Sequence, residues 1–389
     1  MKGSRITNKI ERREKFNSFA FVSVFFLYSL ASFPGMFIGT GIAIIILTVL
    51  LFLPLVFLNG SFFKDKGTIK ALLFEVGVLV LLLFESIYYP EYGEEILKTM
   101  LYVSTIGIVG IASSTLHFNI EQCYKYGTIL ALLGGLSALT LIVIPKEDEL
   151  FGLSMRFGYA LLPSVLWFLL IFLKNRSKWA LCLFVITFFP MLIWGSRGTI
   201  AVVLMFLFLY SILLKRWIIL LLLPVLISFI FIDVQSLLWD GIVWLQDLTG
   251  SKKLGSYSKI IFDEEEARDS IYNYCLYKLN SNFSGYGVGW WEYDPRMGGL
   301  YPHNLILHVG TEFGLLGLLF LLILLVKSIM SILSVEINCA LLFVYFFSIS
   351  IGRLLVSSSY WERPEFWFVI GLFLFTRNTI RFKKKHISR

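Results

Sequence analysis

Runs of about 20 apolar residues recur along this chain, and they restrict its fold more than any other feature. Hydrophobic residues make up 57% of the 389 residues and charged residues only 15%, against about 25% charged residues in soluble domains. A run of this length crosses a bilayer as a helix, which satisfies its own backbone polar groups in hydrocarbon. The sequence therefore predicts an all-α polytopic membrane protein with about 12 transmembrane helices, near 17–34, 37–58, 70–89, 96–115, 126–145, 157–173, 179–195, 199–214, 217–232, 304–326, 337–356 and 364–377.

Lysine and arginine are unevenly divided between the links that join these predicted helices. With the N-terminus placed in the cytoplasm, 22 of the 34 basic residues fall at cytoplasmic positions and six lie near short outer links. Cytoplasmic links are the ones in which basic residues accumulate. We therefore expect a multi-pass protein with both termini in the cytoplasm. This bias accounts for the net charge of +8, so the charge does not indicate a nucleic-acid partner.

One long segment interrupts the apolar runs and divides the chain into three parts. Residues 1–232 hold the first nine predicted helices, 233–303 form one large extracytoplasmic loop, and 304–389 hold the last three helices and a basic cytoplasmic tail. Within the loop, Asp263 caps a predicted amphipathic helix that runs to Leu279. The four acidic residues at its start do not converge on one point, so no metal is expected there.

Glycines follow two patterns around the end of this loop. Three stand at alternate positions in 284–291, which predicts a turn that lets backbone approach a bound group. Gly310, Gly314 and Gly317 are spaced by four and three residues. That spacing places them on one helix face and predicts tight helix packing.

Residues with catalytic or binding chemistry stand where the loop re-enters the membrane. His303 lies at this boundary, two residues after Tyr301. His308 and Glu312 are one helical turn apart, so they would either pair with each other or bond a neighbouring helix. A carboxylate below the membrane surface is costly and indicates function.

Three arginines are expected on the same outer side as His303. Arg197 joins two apolar runs, Arg268 lies in the loop, and Arg353 stands about one turn inside the outer end of its helix. Guanidinium groups hold phosphate oxygens in a bidentate fork. An outward-facing site with arginines and a base suits a lipid diphosphate.

The order of these pieces resembles the O-antigen ligase and polymerase family, which includes the Wzy-type polysaccharide polymerases and the WaaL-type ligases. The resemblance rests on Ser196-Arg197-Gly198, a large loop that contains an arginine, a glycine-rich turn, and His303-Asn304 followed by Glu312-Phe-Gly-Leu-Leu-Gly317. It covers topology over the whole chain and sequence mainly over 194–317.

The resemblance implies a GT-C-like glycosyltransferase in the bacterial cytoplasmic (inner) membrane, with its active site on the extracytoplasmic side. Its donor and acceptor would be undecaprenyl-diphosphate-linked glycans, with no metal or cofactor and with a chain-length regulator and a flippase as further partners. Arg197 and Arg268 would hold the diphosphate, and His303 would take the proton of the acceptor hydroxyl or orient it. We expect five further residues to contact substrate, of which Arg353 and His308 come from this sequence and not from the family pattern: Tyr301, Asn304, His308, Glu312 and Arg353.

Three functions remain open from the sequence. A polymerase would join lipid-linked repeat units, whereas a ligase would move a finished glycan to a lipid A-core or another acceptor; both use the same donor site. A transporter of polysaccharide or small molecules is the third, because twelve helices with both termini inside is also a transporter layout. The two halves of the chain show no mutual similarity, and the main midplane polar candidates, Glu75 and Glu85, appear nearer the ends of their helix.

Overall fold

The computed structural model describes residues 2–58, 66–143, 150–194, 197–215, 270–357 and 359–375. Helices dominate this part of the chain, and no strand occurs within it. The prediction of an all-helical protein is therefore confirmed for the described residues. The helices of the first half are α1 (Lys2–Ser23), α2 (Leu27–Ile38), α3 (Thr40–Leu58), α4 (Lys66–Tyr88), α5 (Gly93–Tyr102), α6 (Ile108–Ser114), α7 (Ile120–Val143), α8 (Leu150–Asn175), α9 (Lys178–Trp194) and α10 (Arg197–Leu213).

The second half contains a short loop helix followed by the last helices of the bundle. Two π-helical turns, at Ser348–Gly352 and Gly371–Phe375, continue the helices before them. A third π-helical turn, at Val103–Gly107, joins α5 to α6. The helices are α11 (270–281), α12 (Trp290–Tyr293), α13 (Leu305–Ser334), α14 (Ile337–Phe347), α15 (Arg353–Val356) and α16 (Pro364–Ile370).

Six of the described helical segments are long and apolar enough to cross a membrane. They are Glu11–Ile38, Lys66–Tyr88, Pro90–Ser114, Arg156–Asn175, Leu305–Ser334 and Ile337–Val356, and four shorter apolar helices accompany them. The protein is therefore a helical membrane protein. The predicted span at 217–232 lies outside the described residues, so the total of twelve stays a prediction.

The long helices differ in how much of their surface other helices cover. Arg156–Asn175 and Ile337–Val356 are each 89% buried, whereas Lys66–Tyr88 is 22% buried and Leu305–Ser334 is 28% buried. The first two form the centre of the bundle, where Phe25 and Phe346 stack at 4.1 Å between ring centroids. The other two carry their exposed leucines and valines on the periphery, as expected of helices that face lipid.

Contacts between links fall into two groups, one at each end of the bundle. At one end, the hydroxyl of Tyr124 donates to the carbonyl of Asn338 at 2.9 Å, and the Lys174 ammonium lies 3.3 Å from the Tyr124 ring centroid. At the other end, here called the loop end, the segment 270–304 contacts the last turn of α4 and the short helix α15. Successive long helices thus run up and down between the two ends.

The amphipathic helix of the loop is present over 270–281, and its predicted beginning at Asp263 lies outside the described residues. Ile271 and Cys275, two members of the predicted apolar stripe, are buried. They pack against Trp290, Trp291 and Met297. The stripe is therefore covered by the following turns of the loop, which form a small aromatic core on top of the bundle.

Candidate functional site

A histidine–glutamate pair is buried near the start of α13. The Nε2 atom of His308 lies 3.1 Å from Oε1 of Glu312, and both residues are at most 2% exposed. The predicted pairing across one helical turn is confirmed. Neighbouring segments also contribute to it, because Glu312 has three further donors.

The other donors to Glu312 come from two links at the loop end. Trp361 Nε1 donates to Oε2 at 3.1 Å, the Tyr360 hydroxyl donates to the same oxygen, and the backbone N–H of Gly289 donates to Oε1 at 3.4 Å. Burial, and then the neighbouring Glu312 carboxylate, raise the pKa of Tyr360 well above its ordinary value. The phenol therefore keeps its proton and remains a donor to Glu312.

A break in α13 makes room for these contacts. Gly314 has φ +61° and ψ −147°, which is outside the helical region. The glycine-rich turn fits into the break: Tyr286 and Gly287 donate backbone N–H groups to the carbonyls of Thr311 and Glu312 at 2.8 and 3.0 Å, and Leu315 donates to Phe283 at 2.9 Å. The turn thus binds carbonyls that the broken helix leaves free.

The roles predicted for the glycines need correction at Gly314. Its left-handed φ removes it from any shared helix face with Gly310 and Gly317, so the prediction of one packing face is wrong. A Cβ at Gly314 would collide with the carbonyl oxygen of Phe283, and a Cβ at Gly285 would collide with that of Glu312. The glycines let two backbone segments approach each other.

His303 lies just outside this buried cluster. It is half-buried, has a left-handed φ of +51°, and its ring centroid is 4.0 Å from that of Tyr301. The Tyr301 ring is in turn 6.2 Å from His308 and 6.1 Å from Trp291. The structure thus brings together three predicted site residues, His303, Tyr301 and His308, in a continuous set of ring contacts.

Asn304 connects the beginning of α13 to another helix. Its Oδ1 accepts the N–H groups of Ile306 and Leu307 at 2.9 and 3.2 Å, which is an N-cap. Its Nδ2 donates to the carbonyl of Leu355 at 3.0 Å. Because His303 precedes Asn304, this hydrogen bond holds His303 near the helix end that carries Arg353. Substrate binding by Asn304 itself stays a prediction.

Two arginines and two tyrosines cluster near this connection. We call the two arginines, Arg353 and Arg363, the arginine pair. Arg353 is 4% exposed, and its guanidinium carbon lies 4.7 Å from the ring centroids of both Tyr28 and Tyr159. The Arg363 guanidinium carbon lies 5.2 Å from the same Tyr28 ring. Aromatic faces attract guanidinium groups and leave their N–H edges directed sideways.

The other predicted arginines are placed only in part. Arg197 begins α10, but its side chain lies outside the described part of the structure, and Arg268 falls in the undescribed range 216–269. A Cβ on the adjacent Gly198 would touch the Tyr159 hydroxyl and the Val356 side chain. The backbone at Arg197 is therefore next to the arginine pair, in agreement with a shared site.

Several residues of this end were not predicted as site residues. They are Tyr28, Tyr159, Tyr360, Trp361, Arg363 and Glu365. Arg363 had a usable signal, because it is a basic residue beside a predicted outer link. The tyrosines had none, since tyrosine near a membrane surface is ordinary. Glu365 is buried, and its carboxylate is close enough to act electrostatically on Arg353.

No group of three or more His, Cys, Asp or Glu side chains converges within the residues that the structure describes. His308 and Glu312 are engaged with protein groups, so as placed they position other residues. Their contact with substrate stays a prediction.

Searches of protein-family models, of curated proteins and of solved structures returned no match to this chain.

Proposed function

We propose that this protein is a membrane-embedded glycosyltransferase of the GT-C kind that polymerises undecaprenyl-diphosphate-linked repeat units on the extracytoplasmic face of the bacterial inner membrane. The observation that carries the proposal is the arginine pair, two guanidinium groups that share the Tyr28 ring at the loop end. The likeness in motif order to the polymerases adds the identity of the substrate.

The charges around the pair favour an anionic ligand. The Arg363 guanidinium and the Glu365 carboxylate both act electrostatically on Arg353. Two cations that lie close together in a low-dielectric setting repel each other, and a bound phosphate group would offset that repulsion. The aromatic faces of Tyr28 and Tyr159 would hold the guanidinium planes in the orientation that a bidentate contact requires.

The reaction follows from this arrangement. The acceptor hydroxyl oxygen attacks the anomeric carbon of the donor while the bond from that carbon to the diphosphate oxygen breaks. The leaving undecaprenyl diphosphate takes the electron pair, and the arginines stabilise its growing charge. His303 accepts the proton of the attacking hydroxyl. Attack opposite the leaving group would invert the anomeric centre, and a product that retains the donor configuration would contradict this step.

In this scheme, the buried residues His308 and Glu312 would act indirectly, by positioning other side chains. His308 touches Tyr301, which touches His303, at ring distances of 6.2 and 4.0 Å. Glu312 fixes His308 and, through Tyr360 and Trp361, the link that carries Arg363. The Glu312 carboxylate would thus help to position both the base, His303, and Arg363, which stabilises the leaving group.

The test is polymer synthesis in cells that lack the gene and carry variants of it. We expect Arg353→Ala and Arg363→Ala each to lower polymer by about a hundredfold or more, with single lipid-linked repeats accumulating. Arg353→Lys keeps the positive charge but loses the bidentate guanidinium group, so this variant should make an intermediate amount of polymer. Lys327→Ala, on the exposed far part of α13, is the matched control. Membrane levels of each variant are measured in parallel.

Three outcomes separate the candidate functions. Accumulated single repeats support the polymerase. Long chains that remain on the carrier lipid would instead indicate a ligase. Normal polymer in the Arg353→Ala Arg363→Ala double variant at normal membrane level would disprove the proposed site and make transport the next function to test.

A further inference from the structure

A surface cleft lies on the loop, separate from the arginine pair. It is a cleft of about 390 Å³ between α11 and the turn after α12. Six side chains that surround it carry the argument: Tyr274, Tyr277, Lys278, Tyr286, Asp294 and Arg296. We call it the tyrosine cleft.

Aromatic rings form the floor and one wall of the tyrosine cleft. The rings of Tyr274 and Tyr277 are nearly parallel, at 17° and 6.2 Å, and Tyr277 is 62% exposed. Tyr286 closes the other side, 5.8 Å from the buried Trp290. Exposed ring faces of this kind pack against the C–H face of a pyranose ring, which is apolar while its edge is polar.

Charged groups lie beside and over these rings. The Lys278 ammonium is 4.5 Å from the ring centroid of Tyr286 and 5.5 Å from that of Tyr274, whereas Tyr277 presents an exposed ring. Lys278 Nζ is 2.8 Å from Asp294 Oδ2, which also accepts the Tyr274 hydroxyl at 2.8 Å. The Arg296 guanidinium carbon lies 5.3 Å from the Tyr274 ring. Donors and an acceptor carboxylate around aromatic rings suit a polyhydroxylated, uncharged sugar ring more than a phosphate, which the Asp294 carboxylate would repel.

The tyrosine cleft is connected to the proposed active site through adjacent tryptophans. Trp290 contacts Tyr274 and Tyr286 on the cleft side, at 6.4 and 5.8 Å. Trp291 contacts Tyr301 and His308 on the other side, at 6.1 and 6.3 Å. The backbone of Tyr286 also donates to Thr311 in the break of α13. One rigid unit therefore presents both surfaces.

We infer that the tyrosine cleft binds the glycan chain of a lipid-linked substrate, at sugars some distance from the reacting anomeric carbon. This inference rests on the proposed function. Binding there would keep a growing chain attached between additions, so loss of the cleft should shorten chains and leave bond formation itself intact.

The first measurement is binding by the purified full-length protein. Its tryptophan fluorescence is followed while lipid-free polysaccharide from wild-type cells is added. We expect Tyr277→Ala and Arg296→Ala each to raise the apparent Kd about tenfold, because each removes one packing or hydrogen-bonding surface. Tyr277→Phe keeps the ring face and should stay near wild type. Tyr88→Ala removes a tyrosine of the loop end that is 78% exposed and lies outside the cleft, and it should change nothing.

The second measurement is the length distribution of polymer in cells. The Tyr277→Ala Arg296→Ala variant should make shorter chains, whereas the Arg353→Ala variant should make about a hundredfold less polymer. If Arg353 variants lose polymer but the cleft variants bind and elongate as wild type does, the cleft inference is wrong and the proposed function stands. If Arg353 variants keep normal polymer, the proposed function fails first.

A membrane-contact role is the competing outcome. A nitroxide attached to Ser281→Cys, at the exposed edge of the tyrosine cleft and in a protein whose exposed Cys182 is changed to Ser, leaves Tyr277 in place and reports whether oxygen or a water-soluble nickel complex reaches the cleft. Greater access for oxygen in lipid nanodiscs would place the cleft in lipid and overturn the inference. Greater access for nickel, reduced on addition of polysaccharide, is the expected result.

Discussion

Two buried glutamates in the membrane-spanning helices have opposite surroundings. Glu312 is 2% exposed and has four donors, from His308, Gly289, Tyr360 and Trp361. Glu75 is also 2% exposed, but neither of its carboxylate oxygens has a hydrogen-bond partner among the described residues. The two glutamates thus differ in surroundings: Glu312 lies at the loop end, where links supply donors, whereas Glu75 lies between helices and has no donor among the described residues.

The position of each glutamate explains the difference. Glu312 stands beside the break in α13, where backbone and link side chains can reach it. Glu75 lies against Gly107 and Trp367, and a Cβ on Gly107 would be 3.1 Å from Oε1. A carboxylate that is buried without a partner is destabilising unless it is neutral. The two sites should therefore respond oppositely to removal of the acid.

The largest effect is expected at Glu312. Glu312→Ala should destabilise the protein by roughly 3–5 kcal/mol, because it leaves buried donors without an acceptor. Glu312→Gln should keep only some of the hydrogen bonds that Glu312 accepts, because an amide has one acceptor oxygen. Thermal unfolding in detergent measures both. Wild-type unfolding temperatures for the two variants would show that the cluster contributes nothing to stability.

The break at Gly314 should come next. Gly314→Ala combines an unfavourable backbone conformation with a collision at Phe283, at a cost of about 1–3 kcal/mol or more. Gly77→Ala is the matched control, because nothing lies within 4 Å of its Cβ position and alanine favours a helix. The same unfolding assay compares them. Equal stability of the two variants would mean that the break is not required.

Glu75 should give a small effect of the other sign. Glu75→Gln keeps the shape and removes the possibility of an unpaired charge, so stability should be unchanged or higher by about 1 kcal/mol. Unfolding temperature and membrane level are the measurements. A clear loss of stability would reveal a partner for Glu75 outside the described residues and would remove the contrast with Glu312.

Asp294 provides a third, partly exposed carboxylate with the smallest expected effect. Burial alone would raise the pKa of Asp294, but hydrogen bonds from Lys278 and Tyr274 outweigh it and the net pKa lies below the ordinary value. Such a group adds stability above its unfolded pKa of about 3.9, and the contribution is lost as pH falls through the folded pKa. Unfolding temperatures between neutral and acid pH should show this loss in wild type. Asp294→Asn should show less of it.

The sequence was sufficient for features that depend on local spacing. Apolar runs predicted the helices, and the four-residue interval predicted the contact between His308 and Glu312. It was insufficient for features that join distant segments. Tyr360 and Trp361 reach Glu312 across nearly 50 residues, and no periodicity in the chain encodes that approach.

Glycine spacing shows the limit most clearly. The interval between Gly310, Gly314 and Gly317 is the same for a packing face and for a broken helix, and only backbone angles distinguish them. Likewise, Arg353 could be predicted at the outer end of its helix, but its pairing with Arg363 over Tyr28 required the fold.

The hydrogen bond from Asn304 to Leu355 also has a mechanical consequence. It joins the start of one peripheral spanning helix to the end of a central one at 3.0 Å. Because His303 precedes Asn304 and Arg353 is two residues before Leu355, a tilt of either helix carries both side chains in the same direction. Bilayers of different thickness change helix tilt. The side chains of His303 and Arg353 would then shift in depth together, with their mutual spacing preserved.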